Sequence, residues 1–280
     1  MASLTSYTSF ADAQAQCTSQ RLWELFDGDR AAFNIAHECV DRHAASDPER
    51  PAIIIAHANG GEEQLTFRRL STMSSRFANL LIAKGIRPGN RVAVMLEPST
   101  AFYVAIFGAI KAGAIAVPLF TLFGPDGIRL RVEDCRPRLL VIHAEQAAIA
   151  EGLEGVELLV ADNDFEALLR DFPERFAIAT RADDEAIYQY TSGTTRELPA
   201  AVKHKQRALV TLMLAALYGT GIRPGDKFFC PSSPAWGHGL WHGTLAPLAL
   251  GVTIGAFCGK FDADRLLRAL QQGRFNNISA

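Results

Sequence analysis

The chain has 280 residues, of which 49% are hydrophobic and 21% are charged, a balance that can bury a sizeable globular core. Its formal net charge of −2 provides no basic surface, which argues against nucleic acid or an anionic membrane as a partner. The five cysteines are scattered and show no CxxC spacing. They therefore indicate the reduced thiols of a cytoplasmic protein and not a disulfide framework or a metal site.

Residues 1–30 contain neither the basic nor the apolar region of a secretory signal. We expect them to form a loosely ordered N-terminal tail or a capping segment. Two later apolar runs, over 101–120 and 240–258, are interrupted by Lys111 and His242. A membrane span needs about 20 consecutive apolar residues, so we expect each run to form buried helix and strand and predict no membrane span.

From residue 31 onward, helical patterns alternate with short apolar strands. The predicted elements of the first half, in chain order, are a helix over 31–43, strands over 51–56 and 64–67, an amphipathic helix from about 70 to 81, a strand over 91–96, a helix over 100–112, a strand over 114–119, a helix over 125–135, and strands over 139–143 and 156–160. The first two strands flank an Asn-Gly-Gly turn and predict a hairpin. The alternation as a whole indicates an α/β fold with a doubly wound, mostly parallel sheet.

The second half of the chain repeats the order of the first. Residues 221–225 have the same sequence as residues 85–89, Gly-Ile-Arg-Pro-Gly. The elements predicted behind this second turn are a strand over 227–230, a helix over 239–249, a strand over 252–257 and a helix over 262–271. We therefore predict two similar doubly wound α/β units, residues 31–185 and 186–280. The second unit ends at a strand over 275–279, where the first continues, so we expect it to be incomplete at its C-terminus.

A run of hydroxyl side chains and a glycine separates the predicted strand over 186–188 from an apolar segment over 208–210. The run is Thr191-Ser192-Gly193-Thr194-Thr195. Short O–H donors and backbone N–H groups bind anions, and glycine allows the backbone to approach closely. The Walker A pattern and the dinucleotide pattern G-x-G-x-x-G are both absent. The run predicts a phosphate-binding loop, and a polar turn between strand and helix is the alternative.

This run, together with the Val202-Lys203-His204 that follows it, resembles the phosphate loop of the acyl-adenylate-forming superfamily of acyl-CoA synthetases. In that family a loop of the type T-S-G-T-T-G-x-P-K-G-V-x-x-H holds the phosphates of ATP. The resemblance extends from about residue 33 to residue 280 and includes Trp236-Gly237-His238-Gly239. It implies a large N-terminal domain built of two similar α/β subdomains, in agreement with the repeat.

The loop departs from the family pattern after Thr195. Arg196 stands where glycine is usual, an additional residue precedes Pro199, and Ala200 occupies the place of the customary lysine. The resemblance implies that Thr191–Thr195 contact the ATP phosphates. It leaves open whether Arg196, Lys203 or Lys205 supplies the missing cation, which would form charge-assisted bonds to a polyphosphate.

Trp236, His238 and Gly239 follow the predicted strand over 227–230, and α/β folds place ligands at the carboxyl ends of such strands. The resemblance implies that Trp236 or His238 borders an acyl-substrate pocket, where Gly239 leaves room. The alternative is a helix N-terminus packed by two tryptophans, with His238 as a surface residue.

The resemblance implies an AMP-forming acid–thiol ligase. A carboxylate attacks the α-phosphate of ATP·Mg²⁺ to give acyl-adenylate and pyrophosphate, and the thiol of coenzyme A then displaces AMP to form a thioester. The implied partners are a carboxylic acid, ATP and coenzyme A. The resemblance implies a role in cytoplasmic fatty acid metabolism. It is compatible with a homo-oligomer.

The family's adenine and Mg²⁺ contacts and its catalytic lysine come later in the chain than residue 280. We therefore expect no catalytic residue here and expect the 280 residues alone not to complete adenylation. The alternative function is a non-catalytic nucleotide- or acyl-binding module on the same fold, which the missing loop lysine favours. A Rossmann-like oxidoreductase lacks support because its dinucleotide pattern is absent.

Overall fold

The fold is mixed α/β and comes from a computed structural model that describes residues 4–190 and 200–280. Across these residues the chain forms ten α-helices and eleven strands. The helices are α1 (Phe10–Gln16), α2 (Ser19–Trp23), α3 (Arg42–Ser46), α4 (Phe67–Ala83), α5 (Thr100–Lys111), α6 (Pro125–Cys135), α7 (Phe165–Leu169), α8 (Ala208–Ala215), α9 (Ala246–Ala249) and α10 (Ala263–Gly273).

Segments of π-helix adjoin three of these α-helices. A π-helical turn, His37–Asp41, runs into α3, and a second, Ala216–Thr220, continues α8. A third, His238–Leu245, runs into α9 and is called the π-segment below. A 3₁₀-helix, Ala144–Ala150, follows the fifth strand. The predicted helix over 239–249 is therefore present, but most of it has π geometry.

Ten of the eleven strands agree with the predicted ones to within a few residues at their ends, and the strand over Val202–Lys205 was not predicted. They are β1 (Pro51–His57), β2 (Glu62–Thr66), β3 (Arg91–Met95), β4 (Ile115–Pro118), β5 (Leu139–Ile142), β6 (Glu157–Val160), β7 (Glu185–Gln189), β8 (Val202–Lys205), β9 (Lys227–Phe229), β10 (Thr253–Cys258) and β11 (Asn277–Ile278). Strands β3, β4 and β5 are apolar and almost fully buried, as fits strands inside a sheet, whereas the edge strands β2, β6 and β8 carry exposed residues.

Within the described residues the strands form two sheets. The larger has the order β6-β5-β3-β4-β7-β8 and the smaller the order β11-β9-β10-β1-β2. In both sheets the pairing is parallel except in one hairpin, β7–β8 in the larger and β1–β2 in the smaller. The prediction of two mostly parallel sheets is confirmed, as is the β1–β2 hairpin.

Each half of the chain contributes its hairpin to the sheet of the other half. Strand β1 pairs in parallel with β10, and Ile53 faces Ile254. Strand β7 pairs in parallel with β4, and Ala116 faces Ile187. The two sheets are therefore interleaved, and each takes strands from both sides of residue 185. The division of the chain into domains at that residue stays a prediction.

The repeated turn has the same backbone geometry in both halves. Gly85 and Gly89 have φ angles of 78° and 82°, and Gly221 and Gly225 have φ angles of 74° and 94°. Such positive angles favour glycine. Each turn is also closed in the same way, because the amide of Arg87 donates to Asn90 Oδ1 at 3.0 Å and that of Arg223 donates to the Asp226 carboxylate at 2.8 Å.

The N-terminal residues pack onto the body of the protein. Leu4, Leu22 and Phe26 are buried. The Tyr7 hydroxyl donates to the carbonyl of Leu217 at 2.8 Å, just beyond the end of α8. These contacts favour the capping segment over the loosely ordered tail, and the division of the chain at residue 30 stays a prediction.

The apolar run over 101–120 forms a buried helix and a strand. Nearly every residue of α5 is buried, and α5 packs along α4. The single charge in α5, Lys111, forms an ion pair with Asp41 at 2.6 Å. Among the residues that the structure describes, no helix is both long and apolar enough to cross a membrane.

Candidate functional site

The predicted phosphate loop joins β7 to β8, the hairpin of the larger sheet. Its predicted contacts, Thr191–Thr195 and Arg196, lie outside the described residues and stay predictions. The chain enters this loop from the carboxyl end of β7, which runs parallel to β4. That edge of a parallel sheet is where α/β folds bind their ligands.

One carboxylate holds the chain on both sides of the loop. Asp134, on α6, accepts a hydrogen bond from the Tyr190 hydroxyl at 2.6 Å and another from the Ala201 amide at 3.2 Å. The Tyr190 side chain is buried, and burial, together with the hydrogen bond to Asp134, raises the pKa of its hydroxyl. Tyr190 therefore remains a protonated donor, and the Asp134 carboxylate fixes where the loop begins and ends.

The candidate cations near the loop differ in their surroundings. Lys205 forms an ion pair with Asp183 at 3.4 Å. Lys203 is exposed on β8, and its Nζ lies 5.0 Å from the centroid of the Tyr188 ring, within the range of a cation–π contact. A carboxylate holds a cation more strongly than an aromatic ring does. Lys203 is therefore better suited than Lys205 to bind a phosphate. The role of Lys203 stays a prediction.

A cavity of about 750 Å³ lies beside the hairpin. Its walls come from the ends of β7 and β8, from α8 and from the π-segment. The residues used below are Gln189, Val202, His204, Leu212, His238, Trp241 and His242. Gln189 faces Val202 across the hairpin, so the cavity adjoins both chain ends that lead into the phosphate loop.

The three predicted pocket residues occupy different positions. His238 lines the cavity, where it stacks on His242 with ring centroids 5.5 Å apart. Trp236 packs on Phe120 instead, at 5.3 Å. Gly239 is required by close packing, since a Cβ there would lie 2.2 Å from the carbonyl oxygen of Ser233. Contacts of these three residues with a substrate stay predictions.

Three further residues shape the cavity and were not predicted from the sequence: Gln189, His204 and Trp241. Gln189 is almost fully buried at the end of β7. A polar side chain at the carboxyl end of an apolar strand is a pattern that could have indicated a binding-site residue. The rings of His204 and Trp241 lie 4.6 Å apart and come from different elements, so no local pattern could have paired them.

Two histidines of the cavity, His204 and His242, are predominantly neutral at neutral pH. Burial lowers the pKa of His204, and burial together with the nearby His238 lowers the pKa of His242. Neutral imidazoles can donate from one ring nitrogen and accept at the other. None of the described residues that line the cavity is an Asp, Glu, Lys or Arg, and the cavity lies next to a predicted phosphate site.

Comparison with known proteins decides the family. A family model described as "AMP-binding enzyme" matches residues 40–279. The chain belongs to the AMP-binding enzyme family. The resemblance inferred from the phosphate loop is therefore confirmed.

Two curated relatives in this family are acid–CoA ligases. The 3-hydroxybenzoate–CoA ligase of Aromatoleum sp. (strain CIB) is 29% identical over 261 residues, which cover 87% of this chain and 48% of the relative. The acetyl-coenzyme A synthetase of Novosphingobium aromaticivorans is 30% identical over 259 residues, which cover 81% of this chain and 40% of the relative. The chain thus spans about half the length of the curated relatives it matches, or somewhat less.

A solved structure supports the fold of this AMP-binding chain. The Brucella canis acyl-CoA synthetase superposes with a TM-score of 0.89 at 27% identity, covering 97% of this chain and 52% of that chain. The predicted fold class, an α/β architecture of the acyl-CoA synthetase N-terminal type, is therefore confirmed.

Proposed function

We propose that the protein carrying this chain is an AMP-forming acid–CoA ligase. In the first step a carboxylate oxygen attacks the α-phosphorus of ATP, which forms acyl-adenylate and releases pyrophosphate. In the second step the thiol of coenzyme A attacks the acyl carbon, the thiol proton is lost, and AMP leaves with the electrons of the broken carbon–oxygen bond. Membership of the AMP-binding family and the two ligase relatives support this proposal.

The observation that carries the proposal is the position of the cavity. Gln189 and Val202 line it, and the same two residues stand on either side of the phosphate loop. An acid bound in the cavity and a triphosphate bound at Thr191–Thr195 would therefore meet at the end of β7. Bringing two reactants together in this way lowers the barrier by positioning, and fixed donors stabilise the charge that develops on phosphate.

The residues of the chain have distinct roles in this proposal. Thr191–Thr195 would bind the β- and γ-phosphates, and Lys203 or Arg196 would supply the positive charge that Ala200 cannot. Asp134 would hold the loop in place through Tyr190. Arg131 lies over the ring of Phe123 at 3.7 Å and near the ring of Tyr190 at 5.4 Å.

The cosubstrates are those of the family, ATP and coenzyme A. ATP enters as its magnesium complex. Among residues 4–190 and 200–280, no group of three His, Cys, Asp or Glu side chains could hold a metal ion. In this proposal magnesium enters with ATP as its counter-ion. The relatives' names concern hydroxybenzoate and acetate, so aromatic and short acids are better first substrates than fatty acids.

The proposal also includes the location of the protein. All five cysteines lie in the described part of the chain and are free, which favours a cytoplasmic location.

A non-catalytic binding module is the second candidate function. The alanine at position 200 favours it, because the family customarily has a phosphate-binding lysine there.

A pyrophosphate-release assay on the whole protein tests the proposal. We expect release that requires both ATP and an acid, in a panel of acetate, octanoate, benzoate and 3-hydroxybenzoate. Thr194→Ala should lower kcat/KM at least about 10-fold, which corresponds to the loss of one charge-assisted contact. Thr220→Ala, a matched change beyond α8, should not. Binding of ATP with no release for any acid would contradict the ligase and support the binding module.

A further inference from the structure

Arg131, on α6, is a half-buried cation that forms no ion pair within the described residues. In the same part of the chain its Nε is buried without a hydrogen-bond partner, and its Nη1 donates to the carbonyl of Gly127 at 2.8 Å. Arg129, on the same helix, is instead exposed and forms an ion pair with Asp126. A partly buried charge is costly unless an opposite charge meets it, so Arg131 is suited to receive an anion.

The Arg131 guanidinium is fixed beside the start of the predicted phosphate loop. Its Cζ lies 3.7 Å from the centroid of the Phe123 ring and 5.4 Å from that of Tyr190, the residue directly before Thr191. The side chain reaches back to Gly127, one turn toward the amino end of α6. That end of α6 follows β4, whose carboxyl end neighbours the end of β7. The cation therefore points toward the ligand-binding edge of the larger sheet.

The chain also leaves the loop close to α6. Asp134, three residues after Arg131 on this helix, accepts hydrogen bonds from the Tyr190 hydroxyl and the Ala201 amide. Residues three apart on a helix are neighbours on its surface. Arg131 and Asp134 nevertheless form no ion pair among the residues that the structure describes. One face of α6 thus carries both the carboxylate that holds the two ends of the loop and a cation that this carboxylate does not neutralise.

The chemistry of this cation favours a phosphate group as its ligand. A guanidinium can donate two parallel hydrogen bonds to phosphate, and such charge-assisted bonds are stronger than neutral ones. Stacking on the Phe123 ring holds the guanidinium plane while its donors at the edge of that plane stay available. Burial lowers the pKa of Arg131, but an arginine keeps its charge at neutral pH.

We propose that Arg131 binds the β- or γ-phosphate of ATP, as a cation supplied from outside the phosphate loop. Its guanidinium donates to oxygen atoms of that phosphate while the Phe123 ring holds the guanidinium plane. Arg131 lies on α6, so the sequence pattern of the loop itself does not contain it. This inference rests on the proposed function, because it takes the ligand of the loop to be ATP.

Calorimetric titration of the whole protein with ATP·Mg²⁺ and with AMP tests this inference. AMP lacks the β- and γ-phosphates, so the loss of a contact with either phosphate affects the binding of ATP alone. We expect Arg131→Met, which can still pack on the Phe123 ring, to raise the Kd for ATP about 10-fold or more, as for the loss of a charge-assisted hydrogen bond. The Kd for AMP should be essentially unchanged.

Three further variants separate charge from packing. Arg131→Lys should recover part of the affinity that Arg131→Met loses, because lysine keeps the charge without the planar guanidinium. Arg131→Gln is a second neutral variant and should lose about as much as Arg131→Met. Arg129→Met removes a charge from the same helix and should leave the Kd for ATP unchanged. Thermal unfolding of each variant establishes that the protein folds, and Arg131→Gln keeps the test valid if Arg131→Met does not fold.

The outcomes separate this inference from the proposed function. An unchanged Kd for ATP in the neutral variants, or an equal loss for ATP and AMP, overturns the phosphate contact. A loss in Arg131→Lys as large as that in Arg131→Met also overturns it, because Arg131 would then act through packing and not through charge. If the unaltered protein releases pyrophosphate in response to an acid in any of these cases, the proposed function stands. If it neither binds ATP nor releases pyrophosphate, both are overturned.

Discussion

Lys111 is buried at the end of α5, and its charge is balanced by one carboxylate. Its Nζ donates to Asp41 Oδ1 at 2.6 Å, to the carbonyl of Ser71 at 2.9 Å and to Ser75 Oγ at 3.0 Å. Burial lowers the pKa of Lys111 and Asp41 opposes that effect. The sequence identified Lys111 as an interruption of an apolar run, but Asp41 is far away in the chain and could not be recognised as its partner.

Removal of the Asp41 charge should be strongly destabilising. We expect Asp41→Asn to lower the free energy of unfolding by about 3 kcal/mol, because Lys111 would be left buried without a counter-charge. Urea unfolding measures this change. The control is Glu157→Gln, which breaks the half-exposed Lys84–Glu157 pair and should cost less than about 1 kcal/mol. Similar losses in the two variants would contradict the account of Lys111.

His43 should make stability depend on pH. Burial, followed by the charge of Arg42, lowers its pKa from 6.5 to about 4. The unfolded chain therefore binds a proton below about pH 6.5, while the folded chain stays neutral at His43 until about pH 4. The stability contributed by this group is complete above about pH 6.5 and is lost as the pH falls toward 4.

A variant without the titrating ring isolates this contribution. His43→Phe keeps an aromatic ring against Phe67, whose centroid lies 5.2 Å from that of His43. We expect the free energy of unfolding of this variant to fall less steeply between pH 6.5 and 4 than that of the unaltered chain. Equal slopes in denaturant titrations across this window would show that His43 is not responsible.

At the scale of elements, the π-segment is positioned by backbone contact at Gly239. A Cβ at this position would lie 2.2 Å from the oxygen of Ser233 and 2.4 Å from that of Ser232. We expect Gly239→Ala to cost about 2 kcal/mol or more, because neither carbonyl is a flexible side chain that can move aside. Gly237→Ala, two residues earlier with nothing within 4 Å of its Cβ position, should cost less than about 0.5 kcal/mol in the same thermal unfolding assay.

The Asp134 carboxylate should affect nucleotide binding without touching the nucleotide. Asp134→Ala removes the acceptor for both Tyr190 and Ala201, so both ends of the phosphate loop lose a fixed position. We expect the Kd for ATP to rise about 5- to 10-fold in calorimetry, as for the loss of about 1 kcal/mol of hydrogen bonding. Glu133→Ala on the same helix is the control, and an equal effect there would point to a general change in α6.

Most elements could be predicted from the sequence, but their local geometry could not. The strand and helix patterns were clear because apolar residues recur at periods of two and about 3.6. The π geometry of His238–Leu245 left no such signal, since Gly239 and Gly243 are needed for close contacts with other parts of the chain. Packing of that kind depends on tertiary neighbours.

For the whole molecule, the sequence revealed the repeat but not the exchange of hairpins. The repeated Gly-Ile-Arg-Pro-Gly turn and the element order predicted two similar sheets. Which sheet β1 and β7 would join depends on pairing with β10 and β4, far along the chain, and no local pattern specifies it. The same holds for the candidate site. The phosphate loop could be predicted because it is a local motif. The cavity could not, because it depends on Gln189, His204 and Trp241 coming together in the fold.

The repeat also supplies an internal control for the central claim. Hairpins β1–β2 and β7–β8 occupy equivalent places in the two sheets, and only the second leads into the phosphate-loop motif. We therefore propose hydrogen–deuterium exchange of the 280-residue chain with and without ATP·Mg²⁺ as the most direct measurement. The account predicts slower exchange over residues 190–205 and no change over residues 57–66. Unchanged exchange over 190–205, or equal slowing in both hairpins, would contradict it.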